Sequence, residues 1–122
     1  MQKTILVVED DRELLELIGL YLANAGYTVR SVQNGLEAAA ACLKVTPDLI
    51  ISDVHMPRMG GFDMIRILKS EPAMKDIPVI FLTRDEKGRD EGSDLGAIEY
   101  LLKPFEPEAL LSTVAKYLPP PG

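Results

Sequence analysis

The chain lacks most features that would mark a secreted, membrane-bound or nucleic-acid-binding protein. Its one cysteine, Cys42, excludes an intramolecular disulfide. Set in Ala-Ala-Ala-Ala-Cys-Leu, it reads as a small buried hydrophobe on a helix. Basic residues are outnumbered, 13 Lys and Arg against 19 Asp and Glu, and the net charge is −6. The chain as a whole therefore carries no electrostatic footprint for DNA or RNA, and any such contact has to come from another domain or partner. No apolar leader and no membrane-length apolar run is present, which reads as a cytoplasmic protein without membrane contact. What is present is an ordinary globular mixture, 47% hydrophobic and 26% charged, in 122 residues. That is one domain's worth, long enough to bury a core without disulfides or a structural metal.

Short apolar runs alternate with segments of helical period. The runs are Ile5–Val8, Tyr27–Arg30, Leu49–Ile51, Val79–Leu82 and Glu99–Leu102. Three are apolar at consecutive positions, as strands covered on both faces are, whereas the second alternates and suits an edge. Between them, Leu14, Leu17, Ile18, Tyr21 and Ala25 form a helical stripe closed by Gly26. Asn34 can cap a second helix with Leu36, Ala39, Ala40 and Leu43 on one side, stopped before Pro47. A third helix spans about Phe62 to Lys69, and a last one opens on Pro107 and carries Leu110, Leu111, Val114 and Leu118. Strands alternating with helices imply right-handed crossovers and a parallel sheet with helices on both faces. Pro119-Pro120-Pro121-Gly122 cannot continue a helix, so residues 1–118 read as the domain and 119–122 as a tail or the start of a linker.

One expected element reads badly. From Arg84 to Asp94 there is no apolar residue, and Gly88 and Gly92 interrupt the stretch. With little to bury and about 1 kcal/mol lost per internal glycine, a fourth helix there is expected to be short or irregular.

Glu9-Asp10-Asp11 follows the first buried strand and Asp53 follows the third. All strands of a parallel sheet end on one side, where ligands bind, so Glu9, Asp10 and Asp53 should converge. Clustered carboxylates repel one another unless a cation offsets the charge, and an all-oxygen set favours Mg²⁺. Asp11, and Asp10 with it, can instead cap the first helix, whose positive end favours acids. Asp53 is not a cap, because Val54-His55-Met56-Pro57 does not read as a helix start. A Mg²⁺ beside Asp53 permits phosphoryl transfer, for which a cation and a hydroxyl are also wanted. Lys103 and Thr83, at the ends of the fifth and fourth strands, reach the same rim.

In that combination the chain resembles the receiver domain of bacterial two-component response regulators over essentially its whole length. The resemblance is carried by ILVVEDD, DLIISDVHMPRMGGFDMIRILK, IPVIFLT and GAIEYLLKPF, which end four strands at one site. It implies a flavodoxin-like α/β fold, a doubly wound five-stranded parallel sheet of order 2-1-3-4-5. It implies that Asp53 takes a phosphoryl group from a histidine kinase or phosphotransfer protein. It further implies that Asp10 binds Mg²⁺ directly and Glu9 largely through water, that the backbone carbonyl of His55 completes the ligands, and that Lys103 pairs with the phosphoryl group. The His55 side chain is expected at the pocket mouth. The bond before Pro104 is expected to be cis. Thr83 and Tyr100 form the implied switch, the hydroxyl moving toward the new charge and the ring turning inward. The output domain or downstream protein is then read from the face made by the fourth helix, fifth strand and last helix.

Arg84 departs from the family, which usually has a small residue there. Its side chain is expected to lean over the phosphosite and alter donor access or phosphoryl lifetime. Other functions fit the residues less well. A flavin carrier needs glycine and hydroxyl residues after the first strand, where Glu9-Asp10-Asp11 would repel the flavin phosphate. An aspartyl-phosphate phosphatase needs an Asp-x-Asp motif at that strand, so no enzyme turning over small substrates is expected, only a switch that catalyses its own phosphorylation and dephosphorylation. The alternative is a pseudo-receiver, an interaction module that is not phosphorylated; such modules commonly lack an acid, the lysine or the threonine, all of which are present here.

Overall fold

The computed structural model describes residues 3–84 and 96–120. In chain order the elements are β1 (Thr4–Val8), α1 (Arg12–Asn24), β2 (Thr28–Val32), α2 (Gly35–Lys44), β3 (Leu49–Asp53), α3 (Gly61–Ser70), β4 (Val79–Thr83), β5 (Glu99–Leu102) and α4 (Pro107–Tyr117). The polar stretch read as a poor helix lies outside the described residues, Arg84 excepted. All strand pairings are parallel, and the five strands stand in the order β2-β1-β3-β4-β5. This is the expected doubly wound sheet.

The consecutive apolar runs occupy its middle. Ile5–Val8 of β1 and the whole of β3 and β4 are buried, while β2 and β5 are only partly covered at the edges. Successive side chains of a strand point to opposite faces, so each run feeds two cores. Leu6, Val8, Ile50 and Phe81 pack with residues of α2 and α3, and Ile5, Val7, Ile51 and Leu82 with residues of α1 and α4. No described helix is long and apolar enough to cross a membrane.

Two helices turn differently from the stripes read in the sequence. In α1 the buried positions are Leu15, Ile18 and Leu22, while Leu17 is exposed and Leu14 and Tyr21 are half-buried. This helix is apolar over a broad arc, and periodicity alone does not choose which seam meets the sheet. In α2 the reading is reversed: Gly35, Ala38, Ala41 and Cys42 face inward, and Leu36 and Leu43 face out, Leu43 at 75% exposure. Small residues win the inner face because the backbone approaches its neighbours closely; a Cβ on Gly35 would stand 2.7 Å from the carbonyl oxygen of Met59. The second strand also begins one residue later than read. Tyr27 precedes it, is buried, and its hydroxyl donates to the backbone carbonyl of Leu118, just beyond α4.

Helix starts set the rim. Asp11 caps α1, its Oδ1 accepting from the backbone N–H groups of Glu13 (3.1 Å) and Leu14 (3.3 Å). Asn34 caps α2 by accepting from Glu37 N–H at 2.9 Å. With Asp11 in the capping position, Asp10 is left exposed at the sheet's end.

Candidate functional site

The carboxyl ends of β1, β3 and β4 carry the predicted residues to one place. β3 ends on Asp53 and β4 on Thr83, and Glu9 follows β1 directly. Backbone bonds extend the ladder past the strand ends: Glu9 N–H donates to Val32 O (3.1 Å), Val54 N–H to Leu82 O (3.3 Å) and Lys103 N–H to Thr83 O (2.7 Å). These bonds fix the Cα positions from which the side chains project. One carboxylate oxygen from each of Glu9, Asp10 and Asp53 lies within 4.8 Å of the others.

Lys103 is the nearest compensating charge. Its Nζ donates to Glu9 Oε1 at 2.6 Å and lies 3.3 Å from Asp53 Oδ2, all three side chains being largely buried. Its bond to Pro104 is cis, as expected. Glu9 is fully buried, and its other oxygen, Oε2, accepts from Asp11 N–H at 3.1 Å. Burial nevertheless pushes the Glu9 carboxyl up to about 6; the bonds from Lys103 and Asp11 pull it down, and the charge on Asp53 pushes it further up. Among the described residues, the one lysine ion-paired with the group faces three carboxylates.

The set opens into a cleft of about 320 Å³, to which His55, Thr83 and Arg84 also contribute. His55 is exposed at the mouth, as expected, and Thr83 is buried. Tyr100 pairs with Phe81 across β4 and β5 and is half-buried, its ring centroid 5.7 Å from that of Phe81. The structure thus brings Glu9, Asp10, Asp53, Thr83, Lys103 and the side chain of His55 to one cleft, and places Tyr100 one layer behind it.

Two supporting residues were not read from the sequence. Ser52 is fully buried between apolar neighbours, and its hydroxyl donates to the backbone carbonyl of Asp53 at 2.8 Å. A lone hydroxyl inside the run Leu-Ile-Ile-Ser-Asp was the available signal. Gly61 brings the start of α3 against the end of β3: a Cβ there would stand 2.5 Å from the same carbonyl and 2.7 Å from the Phe81 ring. The Gly60-Gly61 pair marks this approach in the sequence.

An all-oxygen, partly exposed donor set with uncompensated negative charge fits a hard divalent cation such as Mg²⁺. Comparisons with known proteins agree with the geometry. The family model of the response regulator receiver domain matches residues 5–115. The transcriptional regulatory protein GltR of Pseudomonas aeruginosa is 40% identical over 118 residues, covering 95% of this chain and 49% of the relative. A probable transcriptional regulator, ycf29, of Pyropia yezoensis is 41% identical over 116 residues, 93% of this chain and 52% of the relative. The chain therefore spans about half the length of these curated relatives. Among solved structures, the chemotaxis response regulator CheY4 of Vibrio cholerae superposes with a TM-score of 0.91 at 35% identity, covering 97% of this chain and 100% of that one. The receiver domain of a sensor histidine kinase from Pseudomonas aeruginosa PAO1, described with a magnesium ion coordinated in its active site cleft, gives a TM-score of 0.89 at 26% identity over 96% of this chain and 98% of that one. The matched span runs from β1 into α4 and takes in every strand tip that lines the cleft, and on that ground the chain belongs to the receiver domain family of response regulators.

Proposed function

We propose that Asp53 is a phosphoacceptor and that its phosphorylation by a histidine kinase or phosphotransfer protein switches the domain's output surface. The observation that carries this reading is the meeting of Glu9, Asp10 and Asp53 within 4.8 Å, with Lys103 Nζ 3.3 Å from Asp53 Oδ2. Mg²⁺, held by Asp10 and Asp53, by Glu9 through water and by the backbone carbonyl of His55, would supply charge neutralisation and in-line orientation of the incoming group. A carboxylate oxygen of Asp53 attacks phosphorus, the phosphorus–nitrogen bond of the donor breaks, and the imidazole leaves with that electron pair. Lys103, anchored by Glu9, keeps a cation at the phosphoryl oxygens, and the hydroxyl of Thr83 donates to another of them. Movement of Thr83 leaves room into which Tyr100 turns, sliding over Phe81, and the change reaches the face of β5 and α4.

The reading makes the domain a switch and no turnover enzyme, since the acyl phosphate stays on the chain. Its partners are a phosphodonor protein on the cleft side and an output domain or downstream protein on the β5–α4 side. One relative is named a transcriptional regulatory protein and another a probable transcriptional regulator, each about twice this length, so any DNA contact in such a protein falls to the part beyond the matched domain. A cytoplasmic location follows from the kinase partner.

The test is intact mass after incubation with acetyl phosphate and Mg²⁺. Wild type should gain one phosphoryl group and Asp53→Asn none, and chelation of the metal should abolish the gain. A wild type that stays unmodified with this donor and with phosphoramidate supports the pseudo-receiver reading instead.

A further inference from the structure

Arg84 stands where two hollows meet. It lines the acidic cleft together with Asp53 and Lys103, and it lines a second hollow of about 540 Å³ whose apolar wall includes Leu14, Tyr21 and Phe105. It directly follows Thr83, the last residue of β4, which sits between β3 with Asp53 and β5 leading to Lys103. Its side chain is exposed, so the charge is held at the mouth and not inside.

The charge inventory of the cleft gives that position consequence. Among the described residues four carboxylates line it, Glu9, Asp10, Asp11 and Asp53. Lys103 is engaged with Glu9 at 2.6 Å and Asp53 at 3.3 Å. Against these four, a divalent cation and Lys103 together would leave one negative charge uncompensated, and a donor bearing a phosphoryl dianion would meet that repulsion on entry. The positively charged guanidinium of Arg84 cancels it. Clefts lined by one sign of charge alter the approach of ions by tenfold or more.

We infer that Arg84 is a specificity-determining residue that selects small phosphodonors by net charge, favouring the acetyl phosphate dianion over phosphoramidate, whose protonated nitrogen leaves it a net monoanion. The inference rests on the proposal that Asp53 accepts phosphoryl groups. With acetyl phosphate, an Asp53 oxygen bonds to phosphorus while the bond to the acetyl oxygen breaks, and acetate leaves with the electron pair. With phosphoramidate near neutral pH, the phosphorus–nitrogen bond breaks and the nitrogen, already carrying three protons, leaves as ammonia. The covalent product is the same, so a difference between the two donors reports on approach and alignment.

The experiment follows phosphoryl gain by intact mass in the full chain with Mg²⁺, at donor concentrations well below saturation. Wild type, Arg84→Ala and Arg84→Lys are each given acetyl phosphate and, separately, phosphoramidate. The ratio of the acetyl phosphate rate to the phosphoramidate rate should fall about tenfold in Arg84→Ala, recover in Arg84→Lys, and fall less as salt is raised. An unchanged ratio in Arg84→Ala overturns the inference, whether the two rates stay the same, fall together or rise together; a joint rise identifies a steric lid. A ratio that Arg84→Lys fails to restore also overturns it. A wild type modified by neither donor refutes the phosphoacceptor reading itself and this inference with it, a result separate from an unchanged ratio in a protein that is modified.

Discussion

The body of the sheet and its carboxyl tips are equally buried and chemically opposite. Ile5–Val8, Leu49–Ile51 and Val79–Leu82 are buried and apolar, whereas Glu9, Ser52, Asp53 and Thr83, one step further along the same strands, are buried and polar. Burial stabilises in the first region, by roughly 25 cal/mol per Å² of apolar surface removed from water. In the second it has a cost that hydrogen bonds and ion pairs offset in part, and the raised Glu9 carboxyl is the sign of what is left. The comparison teaches that burial alone does not separate core from site. The separating question is whether burial of a given group lowers or raises the free energy of the fold.

Three measurements would sharpen or break that contrast. The largest effect belongs to the body: Phe81→Ala should lower unfolding free energy by about 3–5 kcal/mol in chemical denaturation, because the ring is fully buried against Phe62 and Tyr100. A loss below about 1 kcal/mol would mean that this end of β4 is not core.

The next belongs to the tips and has the opposite sign. Glu9 titrates near 6 in the fold against 4.5 for an ordinary glutamate, so its protonated form is favoured by folding. Its contribution is fully present below the unfolded value and is lost as pH rises through the folded one. With a chelator present to keep the protein metal-free, Glu9→Gln should therefore gain stability relative to wild type between pH 4.5 and 7, by about 2 kcal/mol at most. Denaturant melts across that range check it, and a difference that does not change with pH removes the claim that the tip is costly.

The smallest effect lies outside both regions. Leu43→Ser should change stability by no more than about 0.5 kcal/mol, since the side chain is 75% exposed. A loss of 2 kcal/mol would restore the stripe read from the sequence.

The sheet was legible because its signal is redundant. Consecutive apolar residues in β1, β3 and β4 demand cover on both faces, and the alternating polar content of β2 marks an edge. The site was legible for a related reason: acids directly after buried strands have no place in a core, and parallel strands bring their ends together. Helix phase was harder. In α2 the apolar arc is broad, broken only on the side of Glu37 and Lys44, and the inner side is chosen by the space between backbones, which favours Ala38, Ala41 and Cys42 over Leu36 and Leu43. Hydropathy ranks leucine above alanine and cannot see that distance. The roles of Ser52 and Gly61 escaped for the same reason, because each acts through close approach to the Asp53 carbonyl.

The bond from Tyr27 to Leu118 settles where the chain leaves α4. Tyr27 lies just ahead of β2, at the amino ends of the parallel strands, so Leu118 sits at the pole away from the cleft. A fluorophore or carrier protein joined after that residue would hang clear of the acidic mouth. Its reporter could then be read during phosphodonor binding without crowding it.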